Sequence, residues 1–307
     1  LPVHLREEAS RQWRAEGIPV RPSGGARIDL ARADLRELAD AYDRSGEPDR
    51  ADNGSTGQNG RVLELYIDLF RGLPRFAPGS DALTLEALER VGAPPADGLI
   101  ADMGCGEGSS ALVLARNTPC SIVAFDLEPS YVAGLRDLAE QAGLGDRIKA
   151  VVADVGEAPL EPGSVDLIWA EGSVYNLGFG QGLATWRKHL KEGGGIVVSE
   201  LTWLSEQHGE KAEQFFAEAY PAMTTIDANV TAMREAGYDV LETIVFPASA
   251  WEDEFYTPLE RSFPAYLRRH GHTKDAQEVV SVVRTEIETF RECGDCYSYV
   301  FYLGRAA

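Results

Sequence analysis

Apolar residues in this chain change their spacing part-way along it. From position 98 onward, short runs that are apolar on both sides alternate with stretches of helical period. The runs are 99–103, 121–126, 148–154, 165–170 and 195–202, and the helical stretches among them are 109–117, 130–142 and 182–191. Strands apolar on both faces are expected where helices cover a parallel sheet. The pattern therefore predicts a doubly wound α/β sheet. A helical segment after Ser205 leads to a strand at 240–246, helices occupy parts of 252–291, and 297–303 closes the pattern as a strand.

The first third reads differently. Leu30, Leu35, Leu38 and Tyr42 recur at helical spacing within 1–44, and 45–60 (SGEPDRADNGSTGQNG) holds no large apolar residue. The expectation is a helical extension ending in a mobile loop, 1–60, that acts as a cap or dimer arm ahead of one domain at 61–307. Helices are expected at 61–72 and at 81–91, the second with Ser80 as its N-cap.

Charge then narrows the partners. Twenty-nine Lys and Arg against forty-nine Asp and Glu give a formal net charge of −20. Reading a nucleic-acid backbone needs clustered cations, and an acidic chain is repelled by anionic lipid. Neither nucleic acid nor membrane is expected as a partner, and no apolar run approaches the ~20 residues that span a bilayer. Four cysteines in 307 residues argue against a disulfide scaffold and point to a reducing cytoplasm.

The chemistry is concentrated at the strand tips. Asp102-Met103-Gly104-Cys105-Gly106-Glu107-Gly108 lies where the first predicted strand hands over to a helix. Glycines there let the backbone turn tightly and let a ligand approach without Cβ clashes. The spacing is G-x-G-x-G, not the G-x-G-x-x-G of a dinucleotide loop, and an acid precedes it by two residues. Asp126 ends the second strand, 22 residues after Gly104, where an acid can accept from both ribose hydroxyls. Asp154 ends the third strand. Trp169-Ala170-Glu171-Gly172-Ser173-Val174-Tyr175-Asn176-Leu177-Gly178-Phe179 follows the fourth, and Val198-Ser199-Glu200-Leu201-Thr202-Trp203 ends the fifth.

With these segments and the stretch 299–304 (YVFYLG), positions 61–307 resemble the class I S-adenosylmethionine-dependent methyltransferases, and within them a bacterial group of small-molecule enzymes. The resemblance implies a seven-stranded Rossmann-like sheet of order 3-2-1-4-5-7-6 with an antiparallel last strand. It implies that S-adenosylmethionine is the cofactor, without a metal. Asp102 would accept from the methionine amino group. Gly104, Cys105, Gly106 and Gly108 would form the loop beside the cofactor. Asp126 with Leu127 would hold the ribose, and Asp154 with Val155 the adenine. Glu171, Tyr175, Asn176 and Trp203 would face the sulfonium and the acceptor.

No His or Lys lies within 171–179 to serve as a general base. Catalysis by orientation then suits an acceptor that is already nucleophilic. The expectation is the thioether or amine of an amino-acid-like small molecule, such as methionine, whose cationic product aromatic faces and a carboxylate would stabilise. O- or C-methylation of a natural-product intermediate is the alternative, and a non-catalytic cofactor-binding protein the third. A nicotinamide-dependent oxidoreductase is disfavoured by the glycine spacing. Cys293-Gly294-Asp295-Cys296 has no second pair to complete a zinc site and is expected to be structural, as is His270-Gly271-His272. A homodimer is compatible with all of this.

Overall fold

The computed structural model describes residues 58–307. The expected extension and loop at 1–60 therefore fall almost wholly outside the described residues. Helix α1 (Gln58–Phe70) buries Leu65, Tyr66, Leu69 and Phe70, a stripe at helical spacing. Helix α2 (Asp81–Val91) begins at Ser80, whose hydroxyl accepts from Leu83 N at 3.1 Å. That cap satisfies a backbone donor with no partner inside the helix.

Eight strands form one sheet. They are β1 (Leu99–Met103), β2 (Ser121–Asp126), β3 (Ile148–Val152), β4 (Val165–Ala170), β5 (Leu190–Trp203), β6 (Thr224–Thr225), β7 (Tyr238–Val245) and β8 (Tyr297–Ala306). Their order is 3-2-1-4-5-8-7, with the two-residue β6 beside β5. Setting β6 aside gives the expected 3-2-1-4-5-7-6. Strands β1 to β5 run parallel, and β8 is antiparallel to both neighbours.

Alternate residues of each strand feed two cores. Ile100, Ile122, Ala124 and Trp169 face one side, and Ala101, Val123, Phe125 and Ile168 face the other. Helices α3 (Ser109–Asn117) and α4 (Pro129–Gln141) pack on the first side. Helices α5 (Phe179–Arg187) and α7 (Ile226–Glu235) pack on the second, and α6 (Glu210–Ala219) lies between them in sequence. Three helical pieces run on without a break, α8 (Ala248–Trp251), a π-turn (Glu252–Tyr256) and α9 (Thr257–Arg269), before α10 (Lys274–Cys293). These join α1 over the first core.

Most element bounds shift by one to three residues, and two shift further. The helix after β4 ends at Arg187, not at 191, and β5 starts at Leu190, where it pairs with Val165. The register then skips from Leu190 to Gly195, and 191–194 form the bulge between them, with 191–193 exposed and Gly194 buried. Lys-Glu-Gly-Gly carries no strand signal because it is that bulge.

Candidate functional site

The carboxyl ends of parallel strands leave a crevice where the connections leave in opposite directions. Here the tips of β1, β2, β3 and β4 open onto a cavity of about 470 Å³. Gly104 (φ +91°) and Gly106 (φ +53°) form its floor in left-handed conformations. A Cβ on Gly104 would lie 2.4 Å from Ser173 Cβ, so this turn is closed to any side chain. Gly108 (φ +88°) is the residue before α3, and a Cβ there would lie 2.1 Å from Leu135 Cδ1. Its role is helix packing, behind the cavity wall.

Asp126 stands at the tip of β2. Its Oδ2 accepts from Gly106 N and its Oδ1 from Glu128 N, both at 2.9 Å. Burial pushes its pKa from 3.8 up to about 6, against the backbone donors that lower it. Asp154 accepts from Gly156 N at 2.8 Å and caps the short turn 155–157, and it also lines the cavity. Cys105, Leu127, Val155, Tyr175 and Asn176 line it as well.

Asp102 lies just beneath, 1% exposed. Its Oδ2 is buried without a hydrogen-bond partner. Burial, then the charges of Glu171 and Asp126, hold its carboxyl well above the usual range. A buried, unpaired acid among acids is costly unless a cation joins it.

Glu171 reaches the cavity wall with both oxygens engaged. Oε2 receives Arg75 Nη1 at 3.0 Å; Oε1 receives Thr84 Oγ1 at 2.8 Å and Trp169 Nε1 at 2.9 Å. Trp169 itself is fully buried. Arg75 also meets Asp81 at 2.8 Å. It belongs to the segment 72–79, every residue of which except Gly79 lines the cavity. Phe76 in this strap packs on Tyr131 at 4.7 Å and leans over Gly106. Sequence reasoning missed Arg75 and Phe76, because the strap has no period; its Pro74, Pro78 and flanking glycines were the available signal.

Trp203, expected at the same wall, is placed elsewhere. Its ring lies 3.9 Å from the His208 ring and edge-on to Phe216 and Tyr297, and it is not among the cavity's lining residues. At the far side of the cavity, Tyr175 meets Tyr220 edge-on at 6.4 Å. Tyr220 hydrogen-bonds the buried Glu200, and burial followed by that carboxylate raises the phenol. His270 bonds Asp68 at 2.8 Å, away from the cavity.

Residues 100–194 match a family model described as a methyltransferase domain. These residues are similar to a methyltransferase domain, and the sheet has the strand order of the Rossmann-like methyltransferase fold. Among known proteins, it is 25% identical over 198 residues to a geranyl diphosphate 2-C-methyltransferase of Streptomyces lasalocidi, covering 64% of this chain and 61% of that one. It is 26% identical over 215 residues to the methyltransferase GfsG of Streptomyces halstedii, covering 67% and 74%. The chain thus spans less than two thirds of the first relative's length. A methyltransferase of Thiobacillus denitrificans, solved with S-adenosyl-L-homocysteine, superposes with a TM-score of 0.69 at 18% identity, over 80% of this chain and 98% of that one. The [4+2]-cyclase SpnF superposes at 0.64 and 19% identity, over 80% and 92%. The methyltransferase fold therefore also serves a protein named for another reaction.

Proposed function

We propose that this chain transfers a methyl group from S-adenosylmethionine to a small-molecule acceptor. The observation that carries this is Asp102, whose buried Oδ2 has no partner beneath a glycine floor that only small backbone atoms can form. An ammonium or sulfonium group is the charge this position lacks. Asp126 keeps lone pairs on both oxygens for two ribose hydroxyls, and Asp154 and Val155 offer an acceptor and an apolar edge to a base. The residues fit the cofactor, which when bound supplies an electrophilic methyl group on sulfur. The chain's part is to orient the donor, to shut out water with the strap at 72–79, and to hold the acceptor in line.

For the acceptor, the Arg75–Glu171 pair shifts the balance of the argument. A free Glu171 carboxylate favoured a thioether or amine, whose methylated product is a cation; here that charge is matched by Arg75. The wall left for the acceptor is largely apolar, with Phe70, Leu73, Phe76, Leu112 and Tyr175. Relatives named for 2-C-methylation of geranyl diphosphate, for tocopherol O-methylation in Arabidopsis thaliana and for 27-O-demethylrifamycin SV in Amycolatopsis mediterranei act on apolar-bodied molecules. O- or C-methylation of such a molecule is our reading, with an amine or thioether second. The test is titration with S-adenosylhomocysteine, then incubation of methyl-labelled cofactor with apolar alcohols, phenols, alkenes, amines and thioethers. A folded chain that binds no cofactor refutes the proposal. Label found solely in fixed cations refutes the O- or C-reading and leaves the rest.

A further inference from the structure

Three of the four cysteines do not line the cavity, and the structure sets two of them, Cys293 and Cys296, on one tight turn. Cys293 is the last residue of α10 and Cys296 immediately precedes β8. Cys296 N donates to Cys293 O at 2.9 Å. A turn closed by that bond holds its end Cα atoms within about 7 Å, and disulfides span roughly 4.4–6.8 Å. Gly294 makes the turn possible, because a Cβ there would lie 2.7 Å from Phe290 O. Both cysteine side chains pack against the first core. Neither cysteine is in a disulfide and both are partly buried, whereas Cys105 and Cys120 are buried.

We propose that Cys293 and Cys296 form a reversible dithiol–disulfide site that reacts with small disulfides of the glutathione type. One thiolate attacks a sulfur of the small disulfide. Its S–S bond breaks, one small thiol leaves, and a mixed disulfide remains. The second cysteine's thiolate attacks the protein sulfur of that bond and expels the other small thiol. The two cysteines lose two electrons and two protons, which reappear as two reduced small thiols. The ring closed is only a few residues long, so chain entropy contributes little to its stability, and the readout must be chemical. Its place ties the end of α10 to the start of β8, where Tyr297 pairs with Trp203 of β5.

The whole folded chain is incubated with oxidised glutathione, quenched with acid and mapped by mass spectrometry. The expected result is loss of two hydrogens confined to the peptide holding 293–296, no glutathione adduct, and full reversal by dithiothreitol. Cys293→Ser and Cys296→Ser should each trap glutathione on the remaining cysteine of the pair. A wild-type chain that stays reduced, or that accumulates glutathione on either cysteine without closing the bond, overturns the proposal. Neither outcome depends on methyl transfer, so this site and the proposed function stand or fall separately.

Discussion

Arg75 and Glu171 form a nearly buried ion pair, 3.0 Å apart, that fastens the strap at 72–79 to the tip of β4. Their side chains are 6% and 12% exposed. Removing one partner of such a pair strands the other charge, at about 3–5 kcal/mol. Glu171 keeps its bonds to Thr84 and Trp169, so Arg75→Met should fall near the low end, about 3 kcal/mol. Adding Glu171→Gln removes the stranded charge and should restore part of the loss. Urea unfolding of both single variants and the double variant gives the coupling; additive losses would show that the pair does not act as one.

Asp126 gives a pH signature with two opposite signs. Its pKa rises from 3.8 to about 6 on folding. The folded chain therefore keeps a proton that the unfolded chain has released. That contribution to stability is complete below about pH 4 and is lost as pH rises through about 6. Asp126→Asn should remove this part of the slope, as read by denaturant unfolding across that range.

Cofactor affinity should run the other way, because the ionised carboxylate is the better acceptor of hydroxyl donors. Binding of S-adenosylhomocysteine should weaken as pH falls below about 6. Asp126→Ala should cost at least about tenfold at pH 8, since each charge-assisted hydrogen bond contributes about 1.5–3 kcal/mol. Calorimetric titration checks both, and an unchanged dissociation constant would remove Asp126 from the site.

Three glycines separate crowding from backbone strain. Gly104, Gly108 and Gly143 all have positive φ, but nothing lies within 4 Å of a Cβ on Gly143. Gly143→Ala should cost about 1 kcal/mol from conformation alone. Gly108→Ala must also displace Leu135 and should cost about 1–3 kcal/mol more. Equal losses in thermal unfolding would mean that Leu135 moves aside freely.

Binding of S-adenosylhomocysteine should be the same before and after exhaustive chelation, measured by the same titration. Among the described residues, no cluster of His, Cys, Asp or Glu could hold a metal. A chelator-dependent dissociation constant would mean that an ion takes part.

The first four parallel strands could be read closely from the chain because each is apolar on both faces and has an acid or a glycine at its end or within two residues after it. The predicted bounds of β1, β2 and β4 coincide with the observed strands. The start of β5 could not be read, because its first pair is separated from the rest by the polar bulge at 191–194. At the site, the floor was legible and the roof was not. Asp102, Gly104, Gly106, Asp126 and Asp154 sit at fixed strand-tip positions with a chemical reason for each residue type. Arg75 reaches Glu171 across 96 positions of sequence, and no local pattern carries such a contact. Trp203 shows the reverse failure: its place at a strand tip suggested the reacting centre, but the side chain turns to His208 and Phe216.

The position of β8 also orders the assembly of the sheet. It lies between β5 and β7, and β7 has no other strand partner among the described residues. Yet β8 is synthesised after both. Until it arrives, β5 has an unfilled edge and β7, with Leu241 and Val245 exposed even in the finished fold, has no strand to pair with. The first four strands can pair through nearby helices, whereas this half waits on contacts about 100 residues apart, such as Glu200 with Val300. Closing that separation is the slow, entropy-limited step. The chain is therefore most exposed to misassembly in the interval between a finished β5 and the insertion of β8.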